Sequence, residues 1–293
     1  MEPITPERFE EALAKALREG DPRVGLFGPH SKVWEVNRYS LIFLGAGRAA
    51  LLQLAHPMVA LGVAHHSRAS HDPLGRFRGT FVQVFPMIFG DLAEVERAAR
   101  RVYRIHQVVQ GTDRGRPYAA NDKEALIWVY ATLIETSLLI FEQVVRPLSD
   151  EEREAYYRES HRFALLFGIF PEDLPPDWAA FRAYFDQRVD HLEVLPVARV
   201  LAHQLFAVSP LLGPYRLLTA LLLPPRLVEA FGLPTPTPSR RRWQRRVLSW
   251  ARLWLRFPSS LRELPPYLEA QARLQGNPPT PLVRWAHRLW LGS

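Results

Sequence analysis

One start signal recurs along this chain, and it dictates helices. Asp91-x-x-Glu94, Asn121-x-x-Glu124 and Ser149-x-x-Glu152 each set a short polar side chain three residues ahead of an acid, at the edge of a periodic run. At that spacing the first side chain accepts from the N–H three residues on, and the acid reaches back. Two backbone donors left bare at a helix start are thereby satisfied. Asp177 predicts a further helix through Val189, and residues 190–206 continue helical. Proline supplies the stops, at Pro171, Pro175-Pro176, Pro224-Pro225 and in the loop from Pro234 to Pro238. Alternating apolar and polar runs of strand type are scarce. The fold class that follows is all-α: a single large helical domain with a basic C-terminal helical extension packed on it. The expected division is 1–235 for the domain and 236–293 for the extension.

Composition then limits the chemistry. The 293 residues are 47% hydrophobic, enough for a substantial core. The chain has no cysteine. Disulfides, thiolate-bound zinc, iron–sulfur clusters and a cysteine nucleophile are excluded, so any metal must be held by His, carboxylate, Tyr or Met, or inside an organic cofactor. The net charge is +7 and almost all the cations are arginine, the lysines being Lys15, Lys32 and Lys123. Zinc-finger, RNP and phosphate-loop patterns are missing, so no nucleic-acid partner is expected. Residues 1–20 read as a polar helix without the basic start and apolar core of a secretory leader. The expected location is cytoplasmic, with contact at a membrane surface through 240–257 as an alternative. Three apolar stretches, 39–64, 125–141 and 205–223, are too short or are broken by Arg48, Gln53 and His56, by Glu135, or by Pro210, Pro214 and Arg216. They are expected as buried helices rather than membrane spans.

Residues 91–111 read as one amphipathic helix closed by Gly111. Val95, Ala98, Ala99, Val102, Ile105 and Val109 mark its buried face, and His106 falls on that face. Glu96, Arg97, Arg100, Arg101 and Arg104 lie opposite. An imidazole directed into a core requires a hydrogen-bond partner or a metal, and the residues alone leave both open. His56, His65, His66 and His71 cluster nearby, but no His-Glu-x-x-His or Glu-x-x-His pattern occurs, which argues against a zincin or a di-iron site. Arg76 and Thr80, four apart, set a permanent cation and a hydroxyl on one helix face. That pair suits a carboxylate or a polarised oxygen, or is an ordinary surface turn. Gly45-x-Gly47-x-x-Ala50 imitates a dinucleotide fingerprint. No second strand follows and no acid stands between Ala50 and His71, so the glycines are expected to allow close helix packing. Trp243, Val247, Trp250 and Trp254 form an aromatic stripe with Arg241, Arg245, Arg252 and Arg256 off it. Either residues 240–257 rest on an anionic membrane surface, or the stripe packs on the domain and the arginines are solvated.

An ordered series of short motifs carries a resemblance. Gln53-Leu54-Ala55-His56-Pro57, Gly62-Val63-Ala64-x-His66-Ser67 and Asp72-Pro73-x-x-Arg76-x-x-x-Thr80 come first. His106-x-x-Val109-x-Gly111, Tyr118-x-Ala120-Asn121-Asp122 and Trp128-Val129-x-Ala131-Thr132-Leu133 follow. Together, over residues 40–210, they resemble the MpaB-type oxygenases and rubber oxygenases (latex clearing proteins). The resemblance implies an all-helical fold that binds haem b, with His106 as the proximal iron ligand and Arg76 and Thr80 lining the haem. It implies O₂-dependent oxidation or cleavage of an apolar substrate of isoprenoid type. Two departures stand out. Rubber oxygenases carry a lysine just before the threonine, where this chain has Gly79. They also use an upstream glutamate as base, which is missing here, so His65 or His66 would have to serve. The MpaB-like branch is the closer comparison. Glu135 would either accept the His106 imidazole N–H or pair with an arginine. The alternative function is a non-enzymatic haem or lipid carrier with a membrane-surface helix.

Overall fold

A computed structural model describes residues 1–66 and 73–291. In chain order the elements are α1 (Pro6–Glu19), α2 (Lys32–Asn37), α3 (Ala46–Leu54), α4 (Pro57–His66), α5 (Pro73–Phe89), α6 (Leu92–Val108), β1 (Gln110–Asp113), β2 (Arg116–Ala119), α7 (Lys123–Val144) and α8 (Asp150–Leu165). There follow α9 (Trp178–His191), α10 (Pro196–Ala207), α11 (Gly213–Leu222), α12 (Pro225–Ala230), α13 (Pro238–Trp254), α14 (Ser259–Arg262), α15 (Pro265–Leu274) and α16 (Pro281–Leu291). The all-α class holds: among the described residues the only sheet is the antiparallel pair β1–β2.

The start signals act as their spacing requires. Asp91 with Glu94 and Ser149 with Glu152 form complete capping boxes on α6 and α8. α7 begins one residue later than expected, because Asp122 rather than Asn121 accepts from the Ala125 N–H, at 3.1 Å. Asp177 caps α9, but residues 190–206 are not one helix. Pro196 holds Leu195 extended (ψ 153°), so α9 ends at His191 and α10 starts afresh. α1 is not merely a polar arm; it buries Phe9, Ala12, Leu13 and Ala16.

α6 also departs from expectation. Val109 leaves the helical region (φ −92°, ψ 82°), and Gly111 lies in β1 instead of closing the helix. Gly111 pairs with Tyr118, and a Cβ at Gly111 would sit 2.6 Å from the Tyr118 hydroxyl oxygen. The hairpin turn uses Arg114 and Gly115, both at positive φ (47° and 79°), which matches the twist of two-residue hairpin loops.

α7 runs through the centre. Its 22 residues, with a mean hydropathy of 1.5 in the apolar window, are long and apolar enough to cross a bilayer by length and composition alone. Yet 67% of that window is covered by neighbouring helices. Two sharply bent pairs, 40–54 with 57–66 and 196–207 with 210–222, meet the same criteria only if each pair is one span. Large aromatic side chains fill the core around α7, and the indole donors of Trp128 and Trp34 are satisfied, while the buried Tyr184 hydroxyl has no partner among the described residues. Trp128 Nε1 donates to the Leu52 carbonyl and Trp34 Nε1 to the Ile88 carbonyl, both at 2.8 Å.

The apparent dinucleotide fingerprint lies in a 3₁₀ turn running into α3, with no strand before it. A Cβ at Gly45 would lie 2.6 Å from Ile140 and Thr136 side-chain carbons, and one at Gly47 2.4 Å from Thr219 Oγ1. These glycines let α3 and the preceding turn approach α7 and α11 closely. α13, capped by Thr237, lays Leu248 with Trp243 and Val247 against Ile140, Val144, Leu218 and Leu222. The aromatic stripe therefore divides: its first half packs on the domain, while Trp250 and Trp254 point outward.

Candidate functional site around the end of α6

α5 and α6 form an antiparallel helical hairpin that turns at Gly90-Asp91. The Gly90 N–H donates to the Pro86 carbonyl at 2.9 Å, and a Cβ on Gly90 would meet that same oxygen at 2.4 Å. Only glycine permits this turn. Counting outward from it at about 1.5 Å per residue, position 76 on α5 is level with His106 to within one residue's rise, and Thr80 lies about 7 Å nearer the turn. The hairpin thus carries the predicted arginine and threonine positions on one helix and the predicted histidine on the other. The Arg76 side chain itself lies outside the described residues, as do Ser67, His71 and Asp72.

His106 sits in the last turn of α6 and is half-buried rather than fully inside. The helix buries Val95, Ala98, Ala99 and Tyr103, but Ile105, expected inside, is 48% exposed, and Val108 is 70% exposed. The cause is the reach of α1. Phe9 stacks on Tyr103 at 4.0 Å, and the Tyr103 hydroxyl donates to the Ile4 carbonyl at 3.3 Å. Past Tyr103 that cover stops. On the facing helix, a Cβ at Gly79 would meet nothing within 4 Å, and Thr80 is exposed. The end of the hairpin therefore holds the half-buried His106 on α6 and the exposed Thr80 on α5.

His65 and His66 end α4 on the other side of this region. α4 lies against the end of α6, since a Cβ at Gly62 would be 3.2 Å from Val109 Cγ1. His65 Nε2 is 3.6 Å from Asp113 Oδ1, and its ring stacks on Tyr118 at 5.6 Å. His66 Nε2 is 3.2 Å from the Tyr118 hydroxyl. Both imidazoles are exposed. Asp113 and Tyr118 were not among the predicted site residues. Tyr118 stands in one of the quoted motifs, but the pairing that brings both to the histidines depends on the unforeseen β-hairpin.

Glu135 is used elsewhere. One carboxylate oxygen pairs with Arg48 Nη1, and the other accepts from Arg182 Nη1 at 2.9 Å. Of the two roles considered for this acid, the ion pair is the one observed, and the imidazole contact is corrected accordingly. His56, in the Gln-Leu-Ala-His-Pro motif, is buried with its Nδ1 unpartnered among the described residues. Desolvation, reinforced by the Arg188 charge, pushes its pKa down to about 4 against the opposing pull of Glu124 and Asp122.

The donor set bears on cofactor type. Among the described residues, no three His, Asp or Glu side chains converge as ligands for a bare ion. A single half-buried imidazole on the last turn of a helix instead suits an iron that arrives with four nitrogens of its own. The residues present fit haem in that sense.

A family model described as "ER-bound oxygenase mpaB/B'/Rubber oxygenase, catalytic domain" matches residues 34–253. Compared singly with curated proteins, the chain shows no significant match. The matched segment is about three quarters of the chain, contains the whole α5–α6 hairpin, and runs past residue 235 to take in nearly all of α13. The chain therefore belongs to the mpaB/rubber oxygenase catalytic-domain family, a family of oxygenases.

Proposed function

We propose that this chain is a haem-b-dependent oxygenase that uses O₂ to oxidise or cleave an apolar, alkene-bearing substrate of isoprenoid type. The observation that carries it is His106, half-buried on the last turn of α6 in line with buried Val95 and Ala99, with open space over Gly79 on the neighbouring helix. Bound there, haem would supply the activation of dioxygen, which no amino-acid side chain provides.

The chain's own residues then have distinct tasks. His106 would hold the iron from one side. Thr80 offers a hydroxyl for hydrogen bonding, and Arg76 a permanent cation suited to a propionate or to a polarised oxygen. His65 and His66, the latter against the Tyr118 hydroxyl, are the candidate proton acceptors in place of the missing glutamate. The small residue at Gly79 leaves room where the rubber oxygenases carry a lysine.

The test is oxygen consumption by the haem-loaded chain with an isoprenoid hydrocarbon, with products followed by mass spectrometry. Aldehyde or ketone fragments that vanish in Thr80→Val and Arg76→Leu, with haem retained, are expected. A chain that takes up haem yet consumes no O₂ with any polyene would be a carrier, not an oxygenase.

A further inference from the structure

Residues 234–262 contain eight arginines and not one acidic side chain. α13 occupies most of this segment and is held rigidly. Leu248, Trp243 and Val247 dock on α7 and α11, and Arg252 Nη2 donates to the Gln143 carbonyl at 2.9 Å. The opposite side of the helix and the turn after it are uncovered. Trp250 is 72% exposed, and Leu253, Trp254, Phe257 and Leu261 are between 39% and 49% exposed. Arg246 and Arg242 extend the same outward side one and two turns before Trp250. With Arg245 and Arg256 they are exposed and form no ion pair among the described residues.

We infer that this face docks on an anionic lipid bilayer. Three large apolar side chains on a surface helix, with Phe257 and Leu261 just after it, form a patch that a monomeric protein rarely leaves in water. Tryptophan ahead of leucine and phenylalanine, ringed by guanidinium groups, matches the interfacial zone of a bilayer. Apolar rings reach the acyl boundary there while arginines meet lipid phosphates. A second copy of the chain is a poorer occupant. A two-fold contact would set this arginine-rich segment against itself, with no acid in the segment to compensate. Because α13 is fixed before any lipid arrives, docking needs no refolding of the helix. The inference is independent of haem, since α13 shares no residue with the α5–α6 hairpin.

The test is vesicle flotation of the full chain with phosphatidylcholine alone and with added phosphatidylglycerol. Co-flotation only with the anionic vesicles, weakened by salt, is expected. Trp250→Ala with Phe257→Ala should weaken partitioning about tenfold or more. Arg242→Glu with Arg245→Glu and Arg246→Glu should weaken it about 100-fold at low salt. All five positions are exposed, so circular dichroism should show an unchanged fold. A folded chain that ignores anionic vesicles overturns the inference, and so does binding that both variants leave untouched. A dimer that Trp250→Ala dissociates, with no lipid binding, would show that a second copy covers the face.

Discussion

Arg48→Met should be among the most damaging single substitutions outside the proposed haem site. The Arg48 side chain is 4% exposed, and its partner Glu135 is 8% exposed. Arg48 Nε donates to the Leu222 carbonyl at 2.8 Å, and Nη1 serves both Glu135 and Thr136 Oγ1, the latter at 2.6 Å. Its guanidinium also lies over the Phe185 ring, 5.8 Å from the centroid. Methionine keeps much of the volume but removes the charge and every donor. Breaking a buried pair by deleting one partner costs about 3–5 kcal/mol, because the remaining charge is stranded. Arg182 stays on Glu135 but is 36% exposed, so it offsets only part of that cost. An overall loss of about 4 kcal/mol follows, equivalent to a melting point lower by about 8 °C in a chain this size. Urea unfolding followed by far-ultraviolet circular dichroism measures it. Arg48→Met with Glu135→Leu should recover at least half, since two apolar residues leave no stranded charge. A single-variant cost below about 1 kcal/mol, or a double variant worse than the single, would show that the triad does not tie α3, α7 and α9 together as argued.

Four further outcomes follow from the packing. His56 is held neutral in the fold, so the unfolded chain takes up a proton first as pH falls from 6.5 towards about 4, and stability declines across that window. The full contribution is about 3 kcal/mol. His56→Gln should flatten that part of the pH–stability curve, whereas an unaltered slope would assign the acid sensitivity to other groups. Gly47→Val should misfold or lose more than about 3 kcal/mol in thermal melts, because its first carbon meets Thr219. Gly79→Ala should stabilise the chain by up to about 1 kcal/mol, because its Cβ enters open space in a helix interior where alanine is favoured. Ser149→Ala removes the α8 cap and should cost about 1 kcal/mol in chemical unfolding.

Local signals were legible in the sequence, and contacts between distant segments were not. The capping boxes at Asp91 and Ser149 operate within four residues, and they stand where the spacing set them. At α7 two adjacent residues both had capping side chains, and spacing alone did not choose Asp122 over Asn121. Gly111 has the look of a helix stop, but what fixes it is Tyr118 across a turn that places Arg114 at positive φ, uncommon for a non-glycine residue. Periodicity set both Ile105 and His106 on the buried face of α6, but Ile105 is 48% exposed and His106 only half-buried. It carried no information that α1 ends its cover at Tyr103, which leaves that face open around the histidine. The same limit divided the aromatic stripe of α13 between core and surface. Glu135 was recognisable as an acid needing a partner. Arg48 and Arg182 lie 87 and 47 residues away, beyond the reach of any local rule.

The central claim is that His106 holds haem iron, and optical spectroscopy tests it most directly. The chain produced with haem supplied should show a Soret band at one haem per chain. His106→Gly should lose that band, or show the spectrum of loosely bound haem, and added imidazole should restore it, while circular dichroism remains that of the parent. A well-folded chain that takes up no haem would contradict the account. A haem spectrum unchanged in His106→Gly would contradict it equally, by placing the iron on another ligand.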